Sequence, residues 1–169
     1  MNIYDAIQKR HSCRAWEDKP VEDDKLQRLL QAAAAAPTAR NRQQFKLIVI
    51  RDAAQRARIA EAADQPFVGA APVILAIVGL TPQDAMFCGI PTDPVDCAIV
   101  LDHVTLAAVA EGLGTCWIGH FEQNACREAL GVPDSAAIIE LMPLGYPAPS
   151  KPTKGRKDLQ QLVCYDRFQ

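Results

Sequence analysis

Gly112-Leu113-Gly114-Thr115-Cys116-Trp117-Ile118-Gly119 is the stretch on which the fold turns. Its first two glycines close a helix, since glycine is the usual residue just past a helix end. Thr115-Cys116-Trp117-Ile118-Gly119 then reads as a strand. The helix before it is expected over 93–111 and is apolar on nearly every side, through Val95, Ile99, Val100, Leu101, Val104, Leu106 and Val109. Such a helix is buried all round, in a core or against a partner chain.

Outward from that junction, helix and strand keep alternating. Downstream, a short helix is expected near 123–130 and a strand near 137–144, followed by a Pro- and Lys-rich loop over 147–156. The tail, 159–168, has too little core of its own. Upstream, 73–78 is almost wholly apolar and reads as a central strand, and 46–50 as another buried strand. A modest helix is expected over 53–64, with Ile59, Ala60 and Ala63 inward. Another begins at the acidic run Glu22-Asp23-Asp24, whose charge suits a helix start, and Pro37 bounds it. Residues 2–9 read as a short helix capped by Asn2. The segment 81–92, with Pro82, Gly89 and Pro91, is the least regular part. No repeat or linker divides the 169 residues, so the pattern gives one α/β or α+β domain.

Composition excludes several classes. Hydrophobic residues make up 49% and charged residues 22%, ordinary for a globular protein, and the net charge of −2 leaves no footprint for nucleic acid. The longest apolar run, 67–80, is too short to span a bilayer and contains Gly69 and Pro72. The N-terminal stretch has no hydrophobic signal region, and the cysteine usage is that expected of a cytoplasmic protein. Six cysteines form no CxxC pair and no metal-ligand rhythm with the three histidines, so no metal site is expected and the thiols read as reduced, small hydrophobes.

The chemistry is expected at Arg10-His11-Ser12-Cys13-Arg14. If this segment is extended, Arg10, Ser12 and Arg14 point to one side as two forked cations and a hydroxyl, a set suited to a phosphate or another planar anion. The segment also reads as a solvated basic helix end. The polar loop Pro37-Thr38-Ala39-Arg40-Asn41-Arg42-Gln43-Gln44 carries amides and a hydroxyl that suit a ligand, or simply a turn between helix and strand.

In order along the chain, four segments together resemble the nitroreductase family of FMN-dependent oxidoreductases. Arg10-His11-Ser12-Cys13-Arg14-Ala15-Trp16 is similar to its R-[RH]-S-x-R-x-[FW] opening, and Ala36-Pro37-Thr38-Ala39-Arg40-Asn41-Arg42-Gln43 to its A-P-[ST]-x-x-N-x-Q loop. Gly112 to Gly119 is similar to its G-L-G-x-x-W-I-G strand. Gly145-Tyr146-Pro147, leading to Lys154-Gly155-Arg156-Lys157, is similar to its G-Y-P…K-x-R-K finish.

The resemblance implies an α+β nitroreductase-like fold, a central mixed sheet flanked by helices in an α/β sandwich, forming a homodimer with FMN at the subunit interface. It implies that Arg10 and Ser12 with Arg156 and Lys154 hold the phosphate, and that His11 is also among the cofactor-binding residues. Arg14 meets the N1 and C2-carbonyl edge, where charge appears on reduction. Pro37, Thr38, Ala39, Asn41 and Gln43 reach the flavin from the other subunit, Trp117 and Ile118 shape the pocket wall, and the Gly119 N–H faces N5. Each residue has a plainer alternative: an Arg14 ion pair with Glu17 or Asp18, Arg156 as a solvated tail charge, Trp117 as a core aromatic, Gly119 as a strand end. His103 reads as a satisfied buried or interface histidine; His120, next to Gly119, is open to either a surface position or a substrate contact.

The chain departs from the family at Gln44 and Asp158, where proline is common, and it is short, with only 81–92 available to cover a site. The implied function is transfer of hydride from NADH or NADPH, by a ping-pong mechanism, to a nitroaromatic, quinone or similar conjugated acceptor. A flavin-dependent dehalogenase or dehydrogenase relative and a non-catalytic flavin-binding protein are the alternatives on the same scaffold.

Overall fold

The computed structural model describes residues 1–149 and 155–168. β1 (Phe45–Ile50), β2 (Val73–Gly79), β4 (Ala137–Gly145) and β3 (Gly114–Thr115) form one sheet in the order β1-β2-β4-β3, every adjacent pair antiparallel. The N-terminal segment adds a parallel bridge, Ser12 to Thr115, which gives the sheet its mixed edge.

Alternation in β2 explains the two-faced core, because successive side chains leave opposite faces of a strand. Val73, Leu75 and Ile77 pack with Met142 and Leu144 against α2 (Asp23–Ala34) and α5 (Thr92–Ala110). Ile74, Ala76 and Val78 pack with Ile138 and Leu141 against α3 (Ala53–Ala62), α4 (Pro66–Ala70) and α6 (Gln123–Leu130). Helices therefore cover both faces. All seven residues of β2 are buried, as expected of a central strand. α1 (Ile3–Lys9) begins at Asn2, which forms a capping box with Asp5.

The expected strand 115–119 is interrupted. Gly114 faces Gly145, Thr115 faces Leu144 and Ile118 faces Leu141 in a single register. Between them the Cys116 N–H reaches the Pro143 carbonyl at 3.3 Å, but Pro143 has no N–H to return the bond. The five-residue α4, with Pro66 opening it, lies in what the sequence reads as the start of an apolar run. α5 is buried on its sheet side only: Val100, Leu101 and Val104 are fully covered, while Val95, Ile99, His103 and Leu106 are half-buried. His103, Leu106, Ala107 and Ala110 instead line an apolar groove with Met1, Ile3 and Ala6. The segment 81–92 is a short hairpin-like loop with a bridge from Ala85 to Pro91. Among the described residues no helix is long and apolar enough to cross a membrane.

Candidate functional site

Gly112 and Gly114 do different work at the end of α5. Gly112 takes φ +75°, the left-handed turn that ends the helix. A Cβ on Gly114 would stand 2.8 Å from the Cys13 Cβ, so only glycine lets the N-terminal segment lie against β3. That close approach makes the site. Cys13 N–H donates to the Thr115 carbonyl at 2.9 Å, which holds residues 10–14 extended along the sheet edge. Further on, Glu17 N–H donates to the Tyr146 carbonyl and Ala148 N–H to the Ala15 carbonyl, so the Gly-Tyr-Pro segment secures the same strand from its other end.

Ser12 bonds the Cys116 thiol, and the charges of Arg10 and Arg14 both bear on it. Burial raises that thiol's pKa, against the lowering charges of Arg14 and Arg10 and a hydrogen bond with the Ser12 side chain. Arg14 pairs with neither Glu17 nor Asp18, and neither Arg10 nor Arg14 has a carboxylate partner among the described residues. His11 turns its Nδ1 to the Lys9 carbonyl at 3.2 Å. Trp117 is half-buried and donates through Nε1 to Thr105 Oγ1 at 3.1 Å, and Thr105 Oγ1 lies 3.3 Å from Thr115 Oγ1. Ile118 is buried, while Gly119 and His120 are exposed beside it. Gly119 has no left-handed φ, so its backbone does not require glycine.

The 37–43 loop stands apart from this cluster. It feeds the first residue of β1, and Phe45 faces Gly79, the β2 residue that also faces Ala137 at the start of β4. The arginine segment lies along β3, beside the end of β4. β1 and β3 are three strand spacings apart, about 14 Å, and the two features occupy opposite ends of the sheet as well. Arg156 is exposed, and Lys154 lies outside the described residues.

Three contributors were not singled out in the sequence. Asp96, buried in the first turns of α5, accepts the Ala39 N–H at 3.0 and 3.1 Å from its two oxygens. Asp93, one turn earlier, accepts both the N–H and the hydroxyl of Thr81, at 2.8 and 2.7 Å. Their signal was two acids three residues apart in the first turns of a largely apolar helix. Glu140, on β4, lies next to Gly119, and its pKa is raised by burial. Four cysteines are buried as expected of small hydrophobes, but Cys88 and Cys164 are exposed.

The family described as "Putative TM nitroreductase" matches residues 2–168. The chain belongs to the nitroreductase family. A relative from Archaeoglobus fulgidus, named "Putative NADH dehydrogenase/NAD(P)H nitroreductase", is 31% identical over 155 residues, which cover 86% of this chain and 85% of that protein. The crystal structure of a nitroreductase family protein from Clostridium difficile matches with a TM-score of 0.86 at 30% identity, covering 99% of this chain and 100% of that one. A second Clostridium difficile protein, an FMN-dependent nitroreductase, matches with a TM-score of 0.84 at 25% identity, over 96% and 98% of the two chains. The α+β nitroreductase fold expected from the four motifs is therefore the fold of this chain.

Proposed function

We propose that this chain is a single-domain, FMN-dependent oxidoreductase of the cytoplasm that takes hydride from NADH or NADPH and reduces a nitroaromatic, quinone or similar conjugated acceptor in ping-pong fashion. One observation carries the reading: Arg10 and Arg14, with Ser12 between them, gather at one edge of the sheet with no carboxylate partner among the described residues. Two guanidiniums without a carboxylate partner, on one stretch of chain, suit an anion that takes up their donors. FMN fits that donor set, with its dianionic phosphate and its electron-accepting ring, and the FMN-dependent relative supports the choice.

When bound, FMN supplies two-electron hydride chemistry at N5. The chain's residues bind and orient it. Arg10 and Ser12, with Lys154 and Arg156, hold the phosphate, His11 lies beside them, and Arg14 stabilises charge at the N1 edge. Trp117 and Ile118 wall the pocket, and the exposed Gly119 offers its N–H to N5 without a side chain to block stacking above the ring. The 37–43 loop is too far away to serve the same flavin within one protomer, so the site is completed by that loop from a second copy. Exposed apolar side chains support a homodimer: Ile3, Tyr4 and Ile7 on α1, and Leu159, Leu162, Tyr165 and Phe168 on the tail.

The test is direct. Purified protein should be yellow, dimeric by light scattering, and bleached by NADH or NADPH without oxygen, then recoloured by a quinone or nitroaromatic. Colour without bleaching would leave a flavin-binding protein, and a colourless preparation that FMN cannot reconstitute would refute the reading.

A further inference from the structure

β4 is an inner strand of the sheet, and Glu140 is its one charged residue. A carboxyl in such a place is unfavourable unless a partner or a function offsets its desolvation. No partner is present: among the described residues the Glu140 carboxyl makes no hydrogen bond and no ion pair, and the residue is half-buried. The sheet is built to turn it. Ile77 faces Glu140 and Val78 faces Ile138, leaving Ile139 as the extra residue of a β-bulge, a device that re-aims side chains next to active sites.

The carboxyl lies next to Gly119. A Cβ there would stand 3.5 Å from Glu140 Oε2 and 3.6 Å from Oε1, so the missing side chain leaves the acid against bare backbone. From the segment after β3, Cys116 bears on Glu140, and the same thiol feels Arg10 and Arg14. From β2 the facing residue is the apolar Ile77. Burial holds the carboxyl above the ordinary carboxylate range, so its proton is exchangeable closer to neutrality than that of a surface glutamate.

We propose that Glu140 takes up a proton when the flavin in this site is reduced and releases it on reoxidation. The inference rests on the FMN reading, with Gly119 at N5. The balance is simple. Hydride brings two electrons and one proton, leaving the ring one negative charge richer. The Glu140 carboxylate, beside that new charge, binds one proton from solvent and becomes the neutral acid. When the acceptor removes the electrons, the acid ionises again, and its proton goes to solvent or to the acceptor, whose reduction consumes protons.

The experiment uses the FMN-loaded protein. In weakly buffered anaerobic titrations at pH values between the oxidised and reduced pKa values of Glu140, wild type should take up one more proton per flavin than Glu140→Gln. Its midpoint potential should fall more steeply with pH, by an additional ~30 mV per unit for this two-electron couple. Infrared difference spectra of wild type should gain a carboxylic-acid C=O band on reduction, and Glu140→Gln should lack it. Parallel potential-against-pH lines for the two proteins would overturn the proposal. So would the absence of that band in wild type, a measurement that holds even if the variant does not fold. Protein that binds no FMN would overturn the flavin reading together with this one, whereas yellow, reducible protein with parallel lines overturns the Glu140 role alone.

Discussion

Replacing Asp96 with alanine removes both acceptors of the Ala39 N–H, and with them the strongest tie between the 37–43 loop and the rest of the molecule. The loop is internally strained, with Arg40, Asn41 and Gln43 all at φ of 54° or 55°. Each non-glycine residue in that left-handed region costs about 1–2 kcal/mol. Bonds within the loop, such as Gln43 N–H to Thr38 Oγ1 at 3.0 Å and Asn41 N–H to the Thr38 carbonyl at 2.9 Å, set its shape but do not fasten it to the fold. Of the side-chain ties that do, Arg42 to Asp84 is well exposed, a class of pair worth about 1 kcal/mol at most. The Asp96 bond is buried and charge-assisted, worth about 1.5–3 kcal/mol.

If that energy holds the loop in its binding shape, FMN affinity falls with the fraction of protein that keeps the shape. Asp96→Ala should therefore weaken FMN binding by roughly 10- to 100-fold. Asp96→Asn keeps one oxygen in place as a neutral acceptor and should lose only a few-fold. The assay is quenching of FMN fluorescence on titration with apoprotein, alongside thermal melts to show that both variants are folded. A folded Asp96→Ala dimer with wild-type FMN affinity would refute the loop-anchor reasoning.

Four further outcomes follow from the same geometry. Arg14→Ala should retain FMN but lower its midpoint potential by tens of millivolts, at about 30 mV for each 1.4 kcal/mol lost, read by dye-linked spectroelectrochemistry; an unchanged potential would remove Arg14 from the N1 edge. Arg156→Ala should raise the FMN dissociation constant about tenfold, as expected for a lost phosphate contact, and leave the potential alone. Gly119→Ala puts its methyl in ordinary contact with Glu140 and should keep most of the flavin reduction rate, whereas Gly119→Pro deletes the N–H and should lose it; stopped-flow bleaching of folded variants separates them. Cys97, pushed up to about 12 by burial and the nearby Asp93 and Asp96 charges, has almost no thiolate at pH 8, so iodoacetamide should label exposed Cys88 first, as peptide mass mapping will show.

The sequence was legible where one physical rule acted alone. An unbroken apolar run made β2 plain, α6 lies over 123–130 as expected, and the N-terminal helix was announced by Asn2. It was less legible where two rules met. The 115–119 strand keeps one register with β4 but loses its ladder at Pro143, a residue distant in sequence whose missing N–H no local pattern reveals. The site shows the same division. Arg10, Ser12 and Arg14 were readable as an alternating set, because an extended segment was enough to bring them together. Asp96 and Glu140 were not, because each acts on backbone far away in sequence: Ala39 across the loop, and Gly119 across the sheet. Their visible sign was only a charge in an apolar element, which is also what a solvent-facing position looks like.

α5 accounts for the way these parts become one site. It touches all four strands, so it crosses the whole sheet from the β1 edge to the β3 edge. At one end Asp93 and Asp96 grip the 81–92 and 37–43 loops. Nine residues later, about 14 Å along the axis, Thr105 accepts the Trp117 indole N–H and meets the Thr115 hydroxyl beneath the arginine segment. That length matches the three strand spacings between the sheet edges. One helix thus holds the 37–43 loop and the arginine segment apart, which in the proposed site makes them two half-sites. Under the proposed homodimer, related by a two-fold axis, the loop half of one copy would meet the arginine half of the other, and each α5 would link the two flavins. The apolar groove between α1 and α5 lies on the same helix, on the side left half-buried in the single chain. In the proposed dimer, burial of that side by a second copy and completion of the flavin site would be one event, so flavin loss and dissociation should occur together, which light scattering during FMN removal will show.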